Sequence, residues 1–391
     1  MSKTYDAIII GAGIMGCCTA HELGRRGLSV AVLEKGHIGE GPTGDSLAII
    51  RQHYSNRLTA RMAYYGVRVF REFEDRIGGD CGFHQSGFIV LSSESNRKGL
   101  ESNLAIQKEI GIDTRIISSE ELIDLVPGIQ LRSGLIAAFE AESGYADAVL
   151  TVKAYASSAK QYRVEVFEET EVTGISFSRE KVSGVQTSGG EFVAPVVVNC
   201  AGAWGARIAA MIGQDIPIDA CRTQVSIFSK PDNMMSEFPV VIDFSNGSFI
   251  RPYSEESVFG GLVEATESGA VVDPDNYERR ADADFLNKVL ERLRETWPDL
   301  KDSVSIDGYA SLYAITPDWH PIIDEVPAGS GFFICSGFSG HGFKLAPAVA
   351  QMTADMILHE SDPMFDHQAF RLSRFHENDS VEGIYEYSIL G

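Results

Sequence analysis

The chain has 391 residues, 44% of them hydrophobic and 23% charged, which excludes extensive disorder and predicts two intergrown lobes with a sizeable core. With 55 Asp and Glu against 33 Lys and Arg, the net charge of −22 gives a surface that repels nucleic-acid phosphates and anionic lipid. No apolar run approaches the ~20 residues of a membrane-spanning helix and no leader precedes the first apolar run, so membrane insertion is not expected. The six cysteines, Cys17, Cys18, Cys81, Cys200, Cys221 and Cys335, lack C-x-x-C spacing and sit among apolar residues, so a reducing cytoplasm is the expected compartment.

The first predicted strand covers 5–10 and leads into Gly11, Gly13 and Gly16, with Ile14 and Met15 between them. A helix follows to 26, and a second strand over 28–33 ends at Glu34. In this G-x-G-x-x-G spacing the first glycine permits a tight turn and the second a close approach of backbone to a pyrophosphate. The third lets the helix pack on the sheet. The helix N-terminus offers unpaired N–H groups to phosphate. Glu34 can accept from both hydroxyls of an adenosine ribose, which argues against a 2′-phosphate and so against NADP. The unit fits NAD and FAD equally.

Farther along, a strand over 86–91 and a helix over 96–110 belong to a first insertion, 79–142. Runs at 164–166, 172–175, 182–187 and 192–198 read as a β-meander leading into Asn199, Cys200, Ala201, Gly202 and Ala203, a strand-to-turn segment expected to close onto the cofactor. Strands over 223–228, 239–244 and 257–262 and a half-exposed helix over 281–297 form a second insertion, 219–307. The predicted class is α/β (α+β overall). Residues 1–78, 143–218 and 308–391 form a discontinuous Rossmann-type lobe, and 79–142 with 219–307 an interleaved lobe built on a mixed sheet.

Near the C-terminus Gly337, Phe338, Ser339, Gly340, His341, Gly342, Phe343 and Lys344 precede a helix over 345–357. A glycine-rich turn before a helix gathers N–H groups and the positive end of the dipole, which suits a developing anion such as the N1 and C2-carbonyl edge of a reduced flavin.

Together with the segments Ile49-Ile50-Arg51-Gln52-His53-Tyr54 and Tyr313-Ala314-Ile315-Thr316-Pro317-Asp318, these motifs resemble the D-amino-acid-oxidase-like flavoprotein superfamily. Within it they are most similar to the monomeric sarcosine oxidases and sarcosine oxidase β-subunits, over residues 5–375. The resemblance implies FAD, with a substrate carboxylate held by Arg51 and Lys344, Tyr54 lining the pocket and His341 facing flavin or substrate. A guanidinium grips a carboxylate in bidentate fashion and an ammonium adds a point charge. The resemblance also places Lys35, Ser46, Val172, Ala201, Gly202 and Trp204 around the cofactor. It makes Asp318 and His320 part of a structural turn.

Three departures qualify what the resemblance implies. Ser311 stands where a cysteine would tether the flavin, so FAD is expected to be non-covalent. Ala146 stands where the two-flavin β-subunits carry a histidine linked to FMN, so no covalent FMN is expected. No lysine occurs in 259–263, where the oxidases place one near flavin N5, which leaves an acceptor other than oxygen open. The implied activity is oxidation of a small, N-alkylated amino acid to an imine that water hydrolyses, with Arg51, Lys344 and His341 as the functional side chains. Two alternatives stay open: a 2-hydroxy-acid dehydrogenase with His341 as base, and a flavin-carrying subunit inactive without a partner chain. No metal is expected.

Overall fold

The computed structural model describes residues 3–263, 269–360 and 364–381. The apolar run after Asp6 becomes the central strand Ala7–Ile10 of a six-stranded sheet. Its order is Ile322–Glu325, Phe332–Ser336, Val197–Asn199, Ala7–Ile10, Val30–Leu33 and Val164–Phe167. Every pair is parallel except that between Ile322–Glu325 and Phe332–Ser336. Ala7–Ile10 and Val30–Leu33 are buried throughout because both faces of the sheet are covered, the usual condition of a parallel sheet. Ala7 and Ile9 face the helices Ile14–Arg25, Ala148–Ala159 and Gly342–Leu358, while Ile8 and Ile10 face a four-stranded sheet containing Val172–Ser178 and Lys181–Thr187. Gly16 sets how closely the first helix lies on its strand: a Cβ there would stand 1.9 Å from the Gly11 carbonyl oxygen.

One expectation is corrected here. Val164–Phe167 is not part of the meander but pairs in parallel with Val30–Leu33 as the edge of the six-stranded sheet. Only Val172–Ser178, Lys181–Thr187 and Gly190–Val193 run up and down. A β-branched run marks a strand but not its partner, and the open edge of Val30–Leu33 claimed this one.

The two insertions build an eight-stranded mixed sheet in the order Ser305–Ile315, Asp219–Ser229, Ser257–Leu262, Ser248–Ser254, Val240–Asp243, Phe88–Ser93, Leu135–Glu140 and Thr114–Ile117. Helix Ala283–Thr296 covers one face, with Val289 and Leu293 against Phe228, Ile250 and Val258. Ile242, Phe249 and Val263 lie on the face toward the first lobe. The boundary expected between 307 and 308 cuts through a strand, because Ser305–Ile315 is laddered to Asp219–Ser229 from Asp219↔Ile315 to Phe228↔Ser305. Among the described residues no helix is long and apolar enough to cross a membrane. The six cysteines are free and buried.

Candidate active site

A cavity of about 270 Å³ lies where the two sheets meet. Two helix N-termini open onto it: Ile14 and Met15 begin one, Gly342, Phe343 and Lys344 the other. Neither helix is capped by a side chain, so first-turn N–H groups remain for a ligand. Ile14 N–H is the exception, taken up by Thr43 Oγ1 at 3.1 Å. The opposite wall comes from the eight-stranded sheet, with Ile242, Phe249, Leu262 and Leu312 beside the polar Thr223, Gln224, Ser311 and Tyr313.

Two cations border this space. Arg51 is 3% and Lys344 5% exposed, far below what either residue accepts without a purpose. They share Tyr54: the Arg51 Cζ lies 4.1 Å from its ring centroid, and Lys344 Nζ donates to its hydroxyl at 3.3 Å. Arg51 also donates to the His53 carbonyl. Helix Arg57–Arg71 is started by Asn56, whose side chain accepts from Leu58 and Thr59 N–H, and it packs on helix Gly342–Leu358. Gly66 permits that contact, since a Cβ there would meet the Lys344 carbonyl oxygen at 2.0 Å. Burial and the neighbouring Arg51 hold the Lys344 amine well below its usual pKa. Burial pushes the Tyr54 hydroxyl up to about 12.

His341 is buried beside them, its ring 5.8 Å from that of Tyr54. Its Nε2 contacts the Trp319 carbonyl at 2.7 Å. A carbonyl only accepts, so the proton resides on Nε2 and Nδ1 carries the lone pair. Burial, then His320 and Lys344, hold this imidazole well below its ordinary pKa, and it is neutral at pH 7. Trp319 itself sits at a φ of 62°. Its turn is fixed by Asp318, which accepts two bonds from the fully buried Arg374 at 2.8 and 3.0 Å. His320 completes the turn, its N–H donating to Asp318 Oδ1 at 3.1 Å and its Nδ1 lying 2.8 Å from the Asp318 carbonyl.

A profile described as FAD dependent oxidoreductase (DAO) matches residues 6–356. The chain belongs to that family. Human mitochondrial sarcosine dehydrogenase is 25% identical over 97% of this chain, which spans 42% of that protein's length. The sarcosine oxidase subunit beta of Rhodobacter capsulatus is 25% identical over 97% of this chain and 91% of its own. The crystal structure of an L-proline dehydrogenase from P. horikoshii superposes with a TM-score of 0.89 at 29% identity, covering 97% of this chain and 100% of that one.

The residues present fit the FAD that this DAO-family oxidoreductase requires. Two uncapped helix N-termini on one cavity provide one site for a diphosphate and one for the flavin's electron-rich edge. Glu34 accepts Ala12 and Gly36 N–H, each at 2.8 Å, and retains lone pairs on both oxygens for ribose hydroxyls.

The cavity brings together Ile14, Met15, Ser46, Arg51, Gly202, Gly337, Gly340, His341, Gly342, Phe343 and Lys344. Gly11, Gly13, Gly16 and Glu34 are not among the cavity-lining residues; they belong to the strand–turn–helix that carries Ile14 and Met15 to it. Tyr54 does not line it but stands behind the two cations, 1% exposed. Val172 is a strand residue paired with Thr187 and does not reach the cavity, nor does Ala201, whose N–H donates to Asn199 Oδ1. Lys35 and Trp204 are engaged with Asp275 at 2.7 and 2.8 Å, the ammonium 3.9 Å from the indole centroid. Sequence reasoning missed Thr43, Asp45, Trp319 and, on the sheet wall, Ile242 and Phe249. Ser311 lines the cavity and donates to Asp45 Oδ2 at 2.7 Å. Among the described residues no three His, Cys, Asp or Glu side chains are placed to hold a metal ion.

Proposed function

We propose that the protein oxidises the carbon–nitrogen bond of a small secondary amino acid, using FAD held without a covalent link. The observation that carries this reading is the buried pair Arg51 and Lys344, joined through Tyr54 at the uncapped end of helix Gly342–Leu358. Bound FAD supplies the two-electron acceptor. Arg51 grips the substrate carboxylate by its guanidinium edge while Lys344 adds a second donor, and together they fix the α-carbon relative to the cavity wall. The low pKa values of Lys344 and His341 report a desolvated, cationic space. A substrate ammonium entering it is pushed toward the neutral amine by the same two causes. No dedicated base is then needed to free the nitrogen lone pair. Loss of two electrons and two protons from the H–C–N–H unit leaves an imine, which water hydrolyses to carbonyl and amine.

Its similarity to a sarcosine dehydrogenase, a sarcosine oxidase subunit and a proline dehydrogenase favours a secondary amine. None of the cavity-lining residues is a cysteine, which favours non-covalent FAD. Lys344 is the one lysine among the described residues lining the cavity, and on this reading it serves the carboxylate. An acceptor other than oxygen, a small carrier or a partner subunit, follows from that assignment.

The test is anaerobic mixing of the yellow protein with sarcosine, dimethylglycine, proline, glycine, D-amino acids and 2-hydroxy acids while flavin absorbance is followed. Sarcosine or proline bleaches the flavin on this reading. Bleaching by hydroxy acids alone overturns it in favour of the hydroxy-acid dehydrogenase, and bleaching by nothing favours a subunit that needs its partner. Acid precipitation releases FAD into the supernatant; flavin retained in the pellet contradicts the non-covalent assignment.

A further inference from the structure

Behind Arg51 the chain has no regular secondary structure from 51 to 55, so its backbone groups depend on side chains for partners. Those side chains come from the second lobe. Glu140, the last residue of strand Leu135–Glu140, accepts Gln52 N–H through Oε2 at 2.9 Å. Gln107, on helix Arg97–Ile110, donates to the Tyr54 carbonyl at 3.4 Å and lies 3.2 Å from His53 Nδ1. The strand and helix that present Glu140 and Gln107 therefore suspend the segment that carries the carboxylate-binding guanidinium.

Glu140 is 1% exposed and is the acidic member of this group. Its Oε2 also accepts from Ser143 Oγ at 2.8 Å, whereas Oε1 has no hydrogen-bond partner among the described residues and stands 3.7 Å from His53 Nδ1. The titratable groups facing it from 51–54 are Arg51, His53 and Tyr54. The helix presents the neutral Gln107, and Thr114 is its neutral cross-strand partner. Burial and Arg51 push His53 down to about 3, and Tyr54 stays protonated, so Arg51 is the permanent charge opposite Glu140. Burial raises the Glu140 carboxyl to about 7, against the pull of Gln52 N–H, Ser143 Oγ and Arg51.

We propose that Glu140 is the positioning residue of the anion clamp and its proton acceptor: it holds Arg51 through Gln52 N–H, and Oε1 takes up one proton from solvent when a carboxylate binds at Arg51. This rests on the assignment of Arg51 and Lys344 as that clamp. The arriving carboxylate offsets the attraction between Arg51 and the Glu140 carboxylate, and the neutral acid becomes the favoured form. No bond other than the new O–H is made, and the charge of the buried group is conserved as the ligand's negative charge replaces that of Glu140. By reciprocity, affinity for the anion rises as pH falls through the window in which Glu140 titrates. The second lobe thereby tunes the charge of a site whose cations belong to the first.

Methoxyacetate tests this with the FAD-loaded protein, because it has the size and charge of a small amino-acid carboxylate but no basic nitrogen, so any proton taken up is the protein's. Binding is followed through flavin absorbance and proton uptake through an indicator dye, between pH 6 and 9. The native protein takes up a fraction of a proton that is largest above pH 7, between the free and ligand-bound midpoints of Glu140, and affinity falls by up to tenfold per pH unit in that interval. Glu140→Gln keeps an acceptor for Gln52 N–H, loses that uptake and binds with a pH-independent affinity across the same window. Uptake that survives in Glu140→Gln but vanishes in Lys344→Met belongs to the lysine. Ser143→Ala removes a donor to Oε2 and moves the midpoint of uptake to higher pH, so the proposal stays testable if Glu140→Gln does not fold. Equal uptake in native protein and Glu140→Gln, or an unmoved midpoint in Ser143→Ala, overturns the role of Glu140 alone. Native-like binding of methoxyacetate by Arg51→Met overturns the clamp, and this proposal with it.

Discussion

The two walls of the cavity are built on different terms. The wall from the six-stranded-sheet lobe is largely backbone: two helices start there without side-chain caps, and Gly16 lets one of them lie against Gly11. The wall from the eight-stranded sheet is side chain: Ile242, Phe249 and Leu262 offer shape, with Thr223, Gln224, Ser311 and Tyr313 beside them. A backbone cradle has few sequence solutions, because only glycine fits where a Cβ would strike a carbonyl. An apolar surface has many, because any side chain of suitable volume serves. The backbone wall is therefore declared by motif, and the side-chain wall is a surface that no motif announces.

That contrast can be broken at several points. The largest effect is expected from Gly16→Val, whose side chain cannot coexist with the Gly11 carbonyl 1.9 Å from its Cβ. The purified variant should be colourless, with its flavin-to-protein absorbance ratio near zero; a fully loaded yellow protein would show that the backbone wall tolerates more than its geometry suggests. Arg51→Met comes next and should weaken carboxylate binding by roughly 2–5 kcal/mol, since a buried charge partner is lost. Its FAD content should stay native, which spectral titration with methoxyacetate reports alongside affinity.

Glu140 and His53 make a third, pH-dependent test. The Glu140 carboxyl rises from 4.5 to about 7 on folding, so its contribution to stability is lost as pH rises from 4.5 to 7. His53 drops from 6.5 to about 3, so its contribution is lost as pH falls from 6.5 toward 3. Between pH 4.5 and 6.5 the two slopes oppose each other and the pair leaves native stability level. Glu140→Gln exposes the histidine slope, and stability should climb with pH by about 1.4 kcal/mol per unit. Urea unfolding at pH 4.5, 5.5 and 6.5 measures both proteins; parallel curves would separate these two groups from the pH response. The smallest effect belongs to the side-chain wall: Phe249→Ala should leave FAD content intact and shift the preference between small and bulky amino acids by roughly 1–3 kcal/mol, read from ratios of kcat/KM.

Much of the first lobe was legible because its signals are local. Strand, glycine turn, helix, second strand and Glu34 follow one another within a single β-α-β unit, and the structure adds only that the strands begin two residues later, at Ala7 and Val30. The site was half legible. Arg51, His341 and Lys344 do meet in one place, but Lys35 and Trp204 are drawn off to Asp275, some 70 residues or more away in the chain, a partner no local pattern reveals. Val164–Phe167 was seen as a strand and given the wrong neighbours for the same reason.

Sequence by itself determined the dinucleotide unit and the glycine-rich C-terminal loop, because each depends on conformational rules acting over a few residues, while Arg51 and Lys344 were singled out by the family resemblance. Tertiary structure alone decided that Tyr54 stands between those cations, that the Trp319 carbonyl fixes the proton on His341, and that Glu140 lies behind Arg51. Charge, protonation and desolvation at a buried site are properties of what surrounds a group, and those surroundings arrive from segments 22 to 290 positions apart.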